Sequence, residues 1–352
     1  MTDLLLWFDG LAIRVEATGS WAVLVIGGLV IAQRAGRAVH EQWERRLARR
    51  YQPLLQRALR GDHVAVAELS GSPRRHRIPL AWLLVTPLID DRDPVRISRS
   101  RAIFEALALM PVADRFLRSQ RWWRRALGLR AMGLLQDRAH AAAIVAALDD
   151  PHGEVRAAAL DAIADLGDPG CLPALIVRVH DESLHRGRRL AAVAAFGAAA
   201  EELVLELAPV DVANRLNYAR VLAVCGTARS RPTLCEWTRD ARAAVQAVTF
   251  EALARVGHDA TSARLAIDAL ENGDDNVRAM AAFSLQGWTG PGGAAVHLER
   301  HLEDAWPVAM RAARTLRTMR EPGLAALRTG AARPGLAGLL ARQTLWELSA
   351  WP

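Results

Sequence analysis

The chain has 352 residues, 51% of them hydrophobic and 24% charged, with a net charge of +7. That apolar content excludes a disordered chain and is enough for a continuous core. The three cysteines, Cys171, Cys225 and Cys235, show no paired spacing, which excludes a disulfide framework and fits a reducing compartment.

Residues 17–33, ATGSWAVLVIGGLVIAQ, carry no charge. A membrane span needs about 20 residues, so the run is at the short end. It is nonetheless apolar on every side, through Val23, Leu24, Ile26, Leu29 and Ile31, and Trp21 stands at its edge, where an interfacial aromatic belongs. A buried core helix is the alternative. The flanks argue for the membrane. Asp3, Asp9 and Glu16 precede the run with only Arg14, whereas Arg34, Arg37, Arg45, Arg46, Arg49 and Arg50 follow it, relieved by Glu41 and Glu44. The positive-inside rule then puts the N-terminus outside and the remainder in the cytoplasm, as a single pass through a bacterial inner membrane. A cleaved signal peptide would have its positive charge before the apolar run, so the pattern predicts an uncleaved anchor over residues 1–33. Leu4–Ile13 reads as a short amphipathic helix in the outer interface.

Residues 34–78 read as a basic juxtamembrane linker. A helix is predicted to continue from the anchor to Leu59, with Val39, Trp43, Leu47, Leu54 and Leu55 as a broken apolar stripe, and Gly61-Asp62 stops it. Ser70–Arg77 reads as a basic loop. Ile78–Ile89 is apolar but too short to span, and it reads as the first helix of the following array. Residues 33–130 hold 21 Arg against nine acids, net +12, whereas residues 131–352 hold 23 Arg against 26 acids, net −3. All 45 basic residues are Arg, as a GC-rich bacterial genome would produce, so Arg abundance alone does not indicate nucleic acid. The polarity along the chain favours anionic lipid headgroups as the contact of the basic block, and makes nucleic acid the less favoured partner.

From residue 79 to 352 the sequence repeats. Aligned on Val155, equivalent positions are Val95, Arg124, His185, Asn214, Val245, Val277, Val308 and Leu340, spaced by 29 to 32 residues. Eight residues past each anchor stand Ile103, Met132, Ile163, Val193, Leu222, Leu253, Leu285, Leu316 and Leu348, all large and aliphatic or Met. Five past lie Leu129, Leu160, Leu190 and Phe250, or Ala where space is tighter. Twelve past lie Gly167, Gly197, Gly226 and Gly257, placed to end a short helix. Second helices are predicted between these, over Ala139–Leu148, Pro173–Val179, Ala263–Leu270 and Ala294–Leu302. One such hairpin cannot bury its apolar faces alone, but stacked copies can.

Asp93-Pro94-Val95-Arg96, Asp150-Pro151 with Val155-Arg156, and Asp274-Asp275-Asn276-Val277-Arg278 resemble the HEAT repeat in its short bacterial form. Ankyrin and tetratricopeptide signatures are absent. The resemblance implies an all-α fold, a right-handed α-solenoid of about nine helical hairpins, here preceded by a single transmembrane helix. It also implies that the helix carrying Val-Arg lines the concave side. The column six past each anchor is mostly polar beside one that is uniformly aliphatic, so it should face solvent in that groove. It holds Arg101, Arg130, Asp161, Ala191, Arg220, Glu251, Phe283, Arg314 and Trp346. Charged and aromatic side chains in a long groove suit protein recognition, whereas simple solubility explains any one charge taken singly.

Chemistry is harder to find. His297 and His301 have a metal-compatible spacing but no third ligand, and Glu299 is one place off a His-Glu-x-x-His arrangement. HEAT-like deoxyhypusine hydroxylases use His-Glu pairs within their repeats; here the sole pair, His40-Glu41, lies outside the array. No phosphate loop or nucleophile elbow occurs. The expectation is a non-enzymatic scaffold without cofactor or metal, binding a membrane-associated protein partner, with envelope polysaccharide synthesis or export as a setting. The alternatives are a lipid- or nucleic-acid-binding module using residues 34–130, and an enzyme built on the groove. The chain ends without a polar capping helix, so the edge with Leu345 and Trp351 is expected to meet a partner or a second copy.

Overall fold

The computed structural model describes residues 42–43, 45–178 and 186–350. The predicted anchor, with Trp21, Leu24, Ile26, Leu29 and Ile31, lies outside the described residues, as do Arg34, Arg37, His185 and Trp351. Among the described residues no helix is long and apolar enough to cross a membrane. They are helices and turns without a strand. Two compact units divide the chain, 1–115 and 116–352.

The first unit contains α1 (45–59), α2 (His63–Ser70), α3 (Arg77–Val85) and α4 (Pro94–Ala106). Leu47, Tyr51 and Leu55 of α1 are buried, as are Leu69, Leu80, Leu84, Ile103 and Phe104. The expected loop over 70–77 is more ordered than its charge suggests. Arg74–His76 forms a 3-10 turn, and the buried His76 ring meets the Tyr51 hydroxyl at 2.8 Å through Nδ1. Burial and the nearby Arg75 and Arg50 hold that imidazole below its ordinary pKa. Helix α2 was not anticipated. It begins where the Asp62 carboxylate accepts hydrogen bonds from the Val64 and Ala65 amides, an N-cap that follows directly on the predicted stop. Asp93 caps α4 in the same way, and Pro94 occupies its first turn.

After α5 (Met110–Leu117), the second unit alternates two series of helices, one mostly longer and one mostly shorter. The longer ones are α6 (Trp122–Leu134), α8 (Gly153–Leu166), α10 (Arg186–Ala194), α12 (Arg215–Cys225), α14 (Ala243–Val256), α16 (Asp275–Ser284), α18 (Trp306–Thr318) and α20 (Gly335–Ala350). Between them lie α7 (Ala141–Ala146), α9 (Leu172–Val177), α11 (Ala198–Leu207), α13 (Arg231–Trp237), α15 (Ala260–Asp268), α17 (Ala294–Arg300) and α19 (Arg320–Ala331). Several short helices extend through 3-10 turns, which is why they end earlier than the sequence pattern suggests.

Each longer helix packs against the next longer one in chain order, from α6 to α20. Their shared seam is the column eight past the anchor: Met132, Ile163, Val193, Leu222, Leu253, Leu285 and Leu316 are all 0% exposed. Leu348, in the last helix, is half-buried. Small residues let the backbones approach. A Cβ added to Gly133 on α6 would stand 2.5 Å from the Ala162 Cα on α8. Gly197 has positive φ but stands three residues past α10 and precedes α11, whereas Gly167 and Gly257 end their helices with positive φ, as expected of a C-terminal Gly. Gly226 does not: its φ is −59°, and what requires Gly there is the Leu222 carbonyl, 2.5 Å from where a Cβ would sit.

Polar groups tie successive turns together. The residue one past the anchor reaches back to the carbonyl six residues earlier: Arg125 to Ser119, Arg156 to Asp150, Gln246 to Asp240 and Arg278 to Asn272. At several of these positions the side chain also reaches forward to the next turn. Arg125 donates twice to Asp150 at 2.8 Å, Arg278 twice to Asp304 at 2.8 and 2.7 Å, and Arg215 once to Asp240 at 3.3 Å. Gln246 accepts from Asn272 at 3.0 Å. A neutral amide pair thus replaces an ion pair at one step of the same ladder. The Arg one past the anchor is therefore a structural clamp between repeats at Arg125, Arg215 and Arg278, bidentate at Arg125 and Arg278.

Candidate interaction face

The seam places the column six past the anchor on an outward face, two residues from a fully buried position on the same helix. In the first unit Arg101 is half-exposed and pairs with Glu105 at 3.1 Å. In the second, Arg130, Glu251 and Arg314 are exposed, Asp161 pairs with Arg188 at 3.0 Å, and Arg220 is half-buried with its Nε turned away from solvent. Phe283 is not the open aromatic that its position predicts. It is half-buried, and the Arg311 guanidinium covers its ring at 4.7 Å from the centroid. Trp346 is 67% exposed, the most open tryptophan among the described residues. Leu345 beside it is half-buried.

Toward the C-terminus this face changes character. Across α8 to α12 it carries Asp161, Ala191 and Arg220, of mixed charge. At α18 the stripe is Arg311, Arg314 and Arg317, three and six residues apart, with Arg311 half-buried and the other two exposed, and Arg317 reaches Glu347 on α20 at 3.2 Å. The six-past column singles out Arg314 alone of these. Reading the positions three and nine past the anchor as well would have found the other two.

A second aromatic feature lies at the start of α6. Trp122 and Trp123 are both exposed; Trp122 stacks on His152 at 4.2 Å and nearly parallel, and Arg124 lies over the Trp123 ring at 5.0 Å. On α1 of the first unit Arg45, Arg46, Arg49 and Arg50 are all exposed.

Reactive groups are held in unreactive states. Burial pushes the Cys225 thiol up to about 11, and it also raises Cys171 and Cys235. A protonated thiol is a poor nucleophile and metal ligand. Burial likewise pushes the Tyr218 phenol up to about 12, helped by its hydrogen bond to Asp211. The buried Glu201 would be raised by desolvation, but hydrogen bonds from Ser230 and Thr227 outweigh it and keep the carboxylate ionised. His301 binds Asp304 at 3.1 Å, so it belongs to the turn ladder. Among the described residues no three His, Cys, Asp or Glu side chains form a group able to hold a metal ion.

Residues 109–197 match the family of HEAT repeats. Among solved structures the chain is similar to Kap95p bound to RanGDP, with a TM-score of 0.51 and 12% identity, over 82% of this chain and 46% of that one. The fold is a HEAT-type α-solenoid. At that identity the likeness is one of fold, and the chain spans less than half the length of Kap95p. An engineered protein is similar at TM-score 0.36 and 16% identity, over 80% of this chain and 87% of that one. Human deoxyhypusine hydroxylase with glycerol is similar at TM-score 0.29 and 18% identity, over 69% of this chain and 97% of that one. No curated protein matches the chain.

Proposed function

We propose that the protein is a non-enzymatic scaffold whose longer helices present their outward face to a protein partner. The observation that carries this reading is Trp346, a large aromatic 67% exposed, on a face whose seam residues are fully buried from α6 to α18. Exposed tryptophans flanked by Arg are typical energetic anchors of protein interfaces. The solenoid fold supports the same reading, and the similar Kap95p structure is a complex with a second protein, RanGDP. The uncharged run 17–33, followed by Arg, supports tethering to a bacterial inner membrane with the solenoid in the cytoplasm. The four exposed Arg of α1 then face anionic headgroups, worth about 1 kcal/mol each near the surface. Such a tethered scaffold suits a subunit of a membrane complex, for which envelope polysaccharide synthesis or export is a setting.

The test is site-specific photo-crosslinking in cells. A photoreactive residue at Trp346 or Glu251 is expected to capture a discrete partner protein, while one at the exposed Arg328 on α19 captures none. Equal capture from all three positions, or none from the first two, would overturn the reading.

A further inference from the structure

We infer that the face made by α16, α18 and α20 takes an acidic, extended segment of a partner protein that carries one large apolar side chain. The inference rests on the reading of this face as a partner surface and names the chemistry of what it binds. Helices α16, α18 and α20 contain only two acids, Asp275 and Glu347, and each is already paired, with Arg278 at 2.7 Å and Arg317 at 3.2 Å. Against them stand the three Arg of α18, placed on one stripe by their spacing of three residues. Arg311 is held over Phe283 and Arg317 against Glu347, so both have restricted geometry. Arg314 lies between them, exposed and without an ion-pair partner among the described residues.

The stripe is therefore pre-organised at its ends and open at its centre, with Trp346 on the next longer helix as an apolar anchor point. Along a helix Arg311 and Arg317 are about 9 Å apart. An extended chain advances about 3.3 Å per residue, so carboxylates two or three residues apart span that distance. Guanidinium groups bind carboxylates with two hydrogen bonds, so Arg suits such a segment better than a point charge would. A nucleic acid fits less well. Its affinity comes from many phosphate contacts, about 6–10 in strong binders, and this face offers three Arg. Residues 131–352 have a net charge of −3, so a long polyanion meets acidic surroundings beyond the stripe, whereas a short segment does not.

The experiment uses the full-length chain in detergent and fluorescence anisotropy of labelled probes. One is a short peptide alternating Asp with Leu and Phe; the others are its Asn counterpart and an oligo-dT strand. The acidic peptide is expected to bind, the Asn peptide about tenfold more weakly or worse. Arg314→Glu and Trp346→Ala should each weaken the acidic peptide about tenfold, and Arg328→Glu should leave it unchanged. If either face variant loses its cooperative thermal transition, Arg314→Gln takes its place. Absence of peptide binding, equal binding of the Asn peptide, or indifference to Arg314→Glu would each overturn the inference. Binding of oligo-dT that displaces the peptide and is lost with Arg314→Glu would reassign the face to nucleic acid. If Trp346 captures a partner in cells while the acidic peptide fails, only the acidic assignment falls. If the peptide binds but nothing is captured, the scaffold reading falls instead.

Discussion

Asp304 shows what a single turn carboxylate does here. It accepts two hydrogen bonds from Arg278, one from the Ala305 amide and one from His301, and the Arg278 bonds hold its pKa down to about 2. A carboxylate whose folded pKa is depressed stabilises the fold above its ordinary pKa near 4 and loses that contribution as pH falls toward the folded value. Asp304→Asn is therefore expected to cost about 1–2 kcal/mol at neutral pH and little near pH 2, measured by urea denaturation across that range. Its partner Arg278 looks from the sequence like a family signature with no visible role. The role depends on a residue 26 positions away that only the stacking brings near. The same holds for Arg125 with Asp150. At the candidate face, the sequence exposes Arg314 and Trp346 through the contrast with the aliphatic column. It does not show that Arg311 lies over Phe283, because that contact is between helices.

At the scale of elements, the eight-residue offset identified every longer helix from α4 to α20. It works because one buried column recurs at the same height on each helix, and burial tolerates no polar residue there. The shorter helices were less legible. Four of them, α7, α9, α13 and α17, are two turns or less, several extended by 3-10 turns, and their apolar positions are too few to show a period. Helix α2, eight residues long, was missed for the same reason. Close approach between helices is also hidden from the sequence. Gly133 reads as an ordinary residue in a helix, whereas any larger side chain would meet the α8 backbone at Ala162. Gly133→Ala would improve helix propensity in isolation, by about 1 kcal/mol. In this packing it is expected to destabilise by about 1–3 kcal/mol, seen as a lower urea midpoint with an unchanged slope.

For the whole molecule, a stack in which each repeat touches its neighbours spreads its exposed side chains along the series of longer helices. On α20, Leu336, Leu339 and Trp346 are exposed. The proposed tether makes a separate prediction. Deleting residues 1–33 is expected to move the protein from the carbonate-resistant membrane fraction to the supernatant while leaving its helical circular dichroism largely intact. Retention of the truncated chain in that fraction would show that the tether is not what holds it there. Release by high salt alone would point to the Arg of α1 and their headgroup contacts.

The sequence by itself determined the repeat, its phase and the buried column, since those follow from periodicity and from the cost of placing polar atoms in a core. It also determined the charge polarity along the chain and the presence of polar and aromatic residues beside that column. Only the tertiary structure decided which Arg clamps which turn, that Gly133 serves close approach to the next longer helix, and which aromatic stays open to solvent. Each of those depends on distances between helices some 25 to 30 residues apart in the chain, and a one-dimensional pattern holds no record of such distances.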